Sequence, residues 1–198
     1  MRALVVYCHP SPESFNAAVL AVVHERLKAA KAETRVIDLY AQSFDPIMSP
    51  KALKEYERPA DYIPPIQDHV DALAWCDTLI FVYPTWWYGQ PAMLKGWLDR
   101  VLSPGVAFEL AQQGDIKPAL THIARLGVFT TCGASWWLTQ FMGSPGKRIL
   151  LRGVRGLCAK RCRTTFTAHY NMDSSTPESR AAHLERVSKT INRLIARA

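Results

Sequence analysis

Apolar positions along this chain follow two patterns, short continuous runs and residues spaced by three and four, and the two alternate. Arg2 to Tyr7 is a compact apolar run and predicts a buried strand. From Phe15 to Lys31, Val19, Val22, Val23, Leu27 and Ala30 recur at helical spacing. Thr34 to Leu39 predicts a second strand. Thr78 to Tyr83 (TLIFVY) is apolar throughout, as a central strand covered on both faces should be. Pro91 opens a helix at a position where proline is tolerated, with Leu94, Trp97, Leu98, Val101 and Leu102 facing inward. Ile123 to Thr130 predicts a fourth strand and Arg163 to Ala168 a fifth. The last helix is capped by Thr176, carries Pro177 in its first turn, and lines up Leu184, Val187, Ile191, Leu194 and Ile195 on one face.

Strands separated by helices predict an α/β fold, a doubly wound parallel sheet with helices on both faces. No internal repeat, low-complexity tract or linker divides the 198 residues, so one domain over residues 1–198 is expected. In such sheets ligands sit beyond the carboxyl ends of the strands, where strand order reverses. Residues 8–16, 84–90 and 130–138 therefore fall on the ligand edge.

Each of those segments carries usable groups. CHPSPESFNAA after the first strand is neither GxGxxG nor GxxxxGK[ST]. It still brings Ser11, Ser14 and Asn16 to a helix N-terminus, where free N–H groups and the helix dipole favour an anion; plain N-capping by Ser11 or Ser14 is the alternative. After the third strand come Pro84, Thr85, Trp86, Trp87, Tyr88 and Gly89, three large aromatics where a turn normally places small polar residues. Their flat faces suit a planar ring, unless a tryptophan folds back into the core or onto another subunit. After the fourth strand, TTCG (Thr130 to Gly133) offers hydroxyl and N–H donors, with Gly133 permitting close approach.

Composition narrows the class. At 48% hydrophobic and 21% charged residues, wholesale disorder is excluded. No apolar run approaches the roughly 18 to 20 residues that cross a bilayer, so membrane insertion is not expected. MRALVVYCHP ends at His9 and Pro10 rather than at a small-residue cleavage site, and reads as a first strand rather than a signal peptide. Five scattered cysteines without a CxxC pair predict no disulfide framework and no metal site, and point to the cytoplasm. The net charge of +7 is uneven: no acidic residue lies between Asp115 and Asp173, where nine basic residues fall, from Lys117 to Arg163. That stretch reads either as a solvated basic face or as a site drawing nucleotide phosphates. No recognition module accompanies it, so nucleic acid is not expected.

Four pieces of the chain act together: His9 with Ser14-Phe15-Asn16-Ala17-Ala18; Asp38-Leu39-Tyr40 followed by Phe44-Asp45-Pro46; PTWWYGQPAMLKGWLDRV; and TTCG. In these the chain resembles the flavodoxin-like NAD(P)H:quinone oxidoreductases, a group that includes DT-diaphorase, bacterial modulators of drug activity and ancillary reductases of potassium-efflux systems. The resemblance implies a five-stranded sheet of order 2-1-3-4-5, a homodimer, and FAD or FMN held without a covalent bond. It implies that His9, Ser14, Phe15 and Asn16 cradle the flavin diphosphate, that Pro84, Thr85, Trp86, Trp87 and Tyr88 line the ring, and that Thr130, Thr131, Cys132 and Gly133 meet its polar edge. Trp87 and Tyr88 would form the stacking site for catalysis. The implied activity is two-electron hydride reduction of a quinone or other planar acceptor by NADPH or NADH, in a ping-pong exchange at one site. Nitro or azo reduction at that site, or an ancillary flavoprotein subunit in peripheral contact with a membrane transporter, are the alternatives. Where the best-known members carry a Tyr and a His that relay a proton, this chain has Leu138 and Ser144.

Overall fold

The structure, a computed structural model, describes residues 1–110 and 116–196. In chain order its elements are β1 (Arg2–Tyr7), α1 (Phe15–Ala29), β2 (Glu33–Asp38), α2 (Pro50–Glu55), α3 (Pro59–Tyr62), α4 (Gln67–Trp75), β3 (Thr78–Thr85), α5 (Ala92–Val101), β4 (Phe108–Leu110) and β5 (Ile116–Pro118). There follow β6 (Arg125–Cys132), α6 (Trp136–Phe141), α7 (Pro145–Arg148), a π-helical segment Ile149–Val154, α8 (Arg155–Leu157), β7 (Arg163–His169) and α9 (Pro177–Ile195). The main sheet runs β2-β1-β3-β6-β7 with every neighbouring pair parallel, the expected 2-1-3-4-5 order once the small β4–β5 hairpin is set aside.

The side-chain alternation of each strand divides two cores between the faces. On one face Leu4, Val6, Leu79, Phe81, Leu126 and Val128 pack with Leu94, Trp97, Leu98 and Val101 of α5. On the other, Ala3, Val5, Ile80, Val82 and Phe129 meet Val19, Val23 and Leu27 of α1 and Val187, Ile191 and Leu194 of α9. Both faces of β3 are buried, which is why TLIFVY has no charged position. Close packing of α5 depends on Gly96, where an added Cβ would lie 2.3 Å from the Cβ and carbonyl oxygen of Pro46.

Boundaries shift by tertiary pairing. The fourth core strand begins at Arg125 rather than Ile123 and runs on to Cys132, because β3 continues through Pro84 and Thr85 and pairs with Thr131 and Cys132. Ile123 instead closes a turn, donating its N–H to the Leu120 carbonyl at 2.9 Å. The second strand lies one residue earlier than expected, Glu33–Asp38 instead of Thr34–Leu39. The first helix ends at Ala29, with Ala30 exposed. At α9 the expected cap is present: Thr176 Oγ1 accepts from Ser179 N–H at 3.2 Å, and Ser179 Oγ accepts from Thr176 N–H at 3.0 Å.

Candidate active site

The carboxyl ends of β1, β3 and β6 open into a cleft of about 530 Å³. Its walls come from all three ligand-edge segments. His9, Phe15 and Asn16 stand on one side, Pro84 to Tyr88 on another, and Thr131, Cys132 and Gly133 at the end of β6. Ala134, Met172 and Asp173 complete it. The tryptophans do not plug this space. Trp87 is 95% exposed and Trp86 is 44% exposed.

The aromatic turn has an unusual backbone. Trp86 and Gly89 form a mutual pair, Trp86 N–H to Gly89 O at 3.2 Å and Gly89 N–H to Trp86 O at 3.0 Å. That leaves Trp87 and Tyr88 as the two central residues, with φ of 48° and 62°. Positive φ at both is the signature of a type I′ turn, a position that sequences fill with Asn and Gly. Two bulky aromatics there carry strain, and such strain concentrates at binding sites. The turn is fixed from behind: Gly146 N–H donates to the Tyr88 carbonyl at 3.1 Å, and Gln90 Nε2 donates to the Gly146 carbonyl at 2.7 Å.

At the start of α1, Ser14 is the N-cap. Its hydroxyl accepts from Ala17 N–H at 3.2 Å and lies 3.2 Å from the Tyr7 hydroxyl. It therefore does not line the cleft. Asn16 is buried, and its Nδ2 donates to Thr131 Oγ1 at 2.9 Å, tying α1 to β6. Its Oδ1 is buried without a partner among the described residues. His9 Nδ1 lies 3.0 Å from the Ser11 nitrogen and 3.1 Å from the Ser11 carbonyl oxygen, so the Ser11 backbone fixes the ring through that nitrogen.

Thr130 also stands behind the wall, its hydroxyl 2.9 Å from that of Thr85. Cys132 is buried, with Sγ 3.7 Å from Thr139 Oγ1. Gly133 serves a protein contact: a Cβ there would lie 2.5 Å from Asp173 Oδ2. Asp173, Met172 and Ala134 were not singled out from the sequence. They arrive because Asn171 N–H donates to the Ala134 carbonyl at 3.2 Å, joining two loops distant in sequence. The one linear signal was that Asp173 ends the acid-free stretch.

Leu138 is exposed on α6, and Ser144 is buried with its hydroxyl donating to the Thr139 carbonyl at 3.2 Å. Neither position offers a proton to the cleft. Beneath Phe15 lie His169 and His183, with ring centroids 5.5 and 5.8 Å from the Phe15 ring and 4.9 Å from each other. Burial, then the charges of His169 and Arg186, holds His183 far below the usual imidazole range, at about 3. Burial pushes the Cys8 thiol at the end of β1 up to about 12, so it stays protonated and unreactive.

A family model described as flavodoxin-like fold matches residues 1–191. The chain is 36% identical over 161 residues to NAD(P)H dehydrogenase [quinone] 1 of Cavia porcellus, covering 73% of this chain and 58% of that one. It is 35% identical over 108 residues to the NAD(P)H oxidoreductase YcaK of Escherichia coli (strain K12), covering 54% and 55%. The chain thus spans a little over half the length of these curated relatives. A solved structure, the NAD(P)H:quinone oxidoreductase from Methanothermobacter marburgensis, superposes with a TM-score of 0.85 at 26% identity, covering 98% of this chain and 96% of that one.

Proposed function

Since the chain belongs to the flavodoxin-like fold family, we propose that it is a flavin-dependent NAD(P)H oxidoreductase reducing quinones by two electrons at a single site. The observation that carries this reading is the open cleft at the strand-order reversal, with aromatic rings held at its mouth on a strained turn. The residues present fit a flavin, FAD or FMN. The Phe15 and Asn16 N–H groups head α1, beyond the reach of any intrahelical carbonyl, and suit its phosphate. Asn16 Oδ1, buried and unpartnered, calls for an N–H or O–H donor from a bound group.

A bound flavin would supply the hydride-transfer chemistry between NADPH or NADH and the acceptor. The protein orients the partners. Trp87 and Tyr88 hold a planar donor, then a planar acceptor, flat over the cleft, so that most of the entropic cost of alignment precedes reaction. Main-chain N–H groups of Thr131 to Gly133 stabilise negative charge in the manner of an oxyanion hole. The His9 imidazole stands at the rim, where it can exchange a proton. The exposed Trp137 and Phe141 of α6 are the surface a second copy would cover in a homodimer.

The test is reconstitution followed by turnover. Purified protein supplied with FAD or FMN is expected to turn yellow and to oxidise NADPH or NADH rapidly with menadione. A chain that takes up neither flavin refutes the reading.

A further inference from the structure

Three cations gather beside the aromatic turn. Of the nine basic residues between Asp115 and Asp173, Lys117 pairs with Glu109 at 3.0 Å, Arg125 lies 3.7 Å from Asp77, and Arg155 donates to the Lys160 carbonyl at 2.7 Å. Among the described residues no carboxylate pairs with Lys147, Arg148 or Arg152. These three instead line one concavity of about 270 Å³, together with Gln140, Gly143 and Ser144. Lys147 is steadied by the Phe166 ring, with Nζ 5.0 Å from its centroid.

Arg148 and Arg152 are four residues apart on one continuous helical run, where like charges repel. The run between them is π-helical, a rare turn that concentrates at functional sites. Both arginines are exposed, so core packing does not account for the arrangement. A dianion seated between them reverses the sign of the interaction. The concavity is also attached to the cleft, because Gly146, next to Lys147, is bonded to both Tyr88 and Gln90 of the aromatic turn.

We propose that Lys147, Arg148 and Arg152 form a phosphomonoester subsite that takes the 2′-phosphate of NADPH while its nicotinamide lies in the aromatic cleft. This rests on the oxidoreductase reading above and adds the choice of donor. A phosphomonoester carries a charge of about −1.5 to −2 at neutral pH and three acceptor oxygens. Arginine forks meet such oxygens two at a time. The free 2′-hydroxyl of NADH offers no charge to the three cations.

The experiment compares wild type, Arg148→Ala/Arg152→Ala and Lys147→Ala. KM for NADPH and for NADH is measured with menadione, and binding of 2′,5′-ADP and of 5′-AMP is measured by calorimetry, which needs no turnover. Wild type is expected to favour NADPH over NADH, and 2′,5′-ADP over 5′-AMP, by about tenfold or more, the worth of a charge-assisted hydrogen bond. The double variant is expected to lose both preferences with its NADH and 5′-AMP values unchanged. Equal values in wild type for ligands with and without the 2′-phosphate overturn the subsite, while rapid turnover of both nicotinamides leaves the oxidoreductase reading standing. Turnover of neither nicotinamide by flavin-loaded protein removes that reading, and with it this one.

Discussion

The strain in the aromatic turn predicts that the fold and the site pull in opposite directions at one residue. Trp87 sits at φ 48° and is 95% exposed, so its side chain adds almost nothing to folding through burial. The left-handed conformation costs an ordinary L-residue about 1–2 kcal/mol, whereas Asn adopts it readily. Trp87→Asn is therefore expected to stabilise the flavin-free chain by about 1 kcal/mol. For a chain of this length that raises Tm by about 2–4 °C.

Trp87→Ala is the control. Alanine keeps a Cβ, hence the same left-handed penalty, and its stability is expected to stay within about 0.5 kcal/mol of wild type. Both variants should lose quinone turnover, since each removes the ring against which substrate lies. The assay is urea and thermal unfolding of flavin-free protein, because bound flavin would add its own stabilisation. If Trp87→Asn is no more stable than wild type, the turn is not strained. If Trp87→Ala gains as much as Trp87→Asn, the gain comes from removing an exposed hydrophobe, and the backbone argument fails.

Three other outcomes are expected. His183 has a folded-state pKa of about 3, below its unfolded value, so the unfolded chain binds the extra proton and stability is lost on acidification. The loss begins below about pH 6.5, reaches about 1.4 kcal/mol at pH 5.5 and about 2.7 kcal/mol at pH 4.5. His183→Gln should flatten that part of the unfolding profile, and an unchanged slope would clear His183 of any role. Gly96→Ala places a Cβ against Pro46 and should cost about 1–3 kcal/mol in denaturant melts; a neutral result would mean that the Asp45–Pro46 loop yields freely. His9→Gln should slow the quinone half-reaction in stopped-flow traces and leave oxidation of the nicotinamide unaffected, whereas equal slowing of both would point to flavin binding instead.

Much of the sheet was legible because buried strands leave an unmistakable linear trace. Arg2–Tyr7 has the same limits in sequence and structure, and TLIFVY could be nothing but a central strand. The extension of β3 to Thr85 was hidden because Pro84 reads locally as a stop, while its partner Thr131 lies 47 positions away. The short helices between Trp136 and Leu157 escaped for a different reason. Trp137 and Phe141 of α6 are exposed, so the rule that apolar spacing marks the inward face does not apply there. In the site, the WWY and TTCG segments were visible because each is contiguous. Which way Ser14 and Thr130 point was not, since a one-dimensional pattern cannot separate a cap or a hydroxyl pair from a ligand contact. Met172 and Asp173 reach the cleft only through the Asn171–Ala134 bond, which no periodicity encodes.

The arrangement of the cleft also narrows how protons move in the proposed reaction. A quinone leaving as hydroquinone gains two protons along with its two electrons, so hydride alone does not complete the chemistry. Ser144 has committed its hydroxyl to Thr139, and Leu138 has no exchangeable proton. Of the lining residues, only His9, Tyr88, Cys132 and Asp173 carry titratable groups. Cys132 is buried with its thiol at Thr139 rather than in open space, and the Asp173 carboxyl is turned to Gly133, its Oδ2 2.5 Å from where a Cβ there would lie. That leaves His9 and Tyr88, together with water entering an open rim. His9 stands at the rim of the cleft, with Nδ1 3.0 Å from the Ser11 nitrogen and 3.1 Å from the Ser11 carbonyl oxygen. Its ring already lies 6.5 Å from that of Trp86 at the mouth where an acceptor would enter.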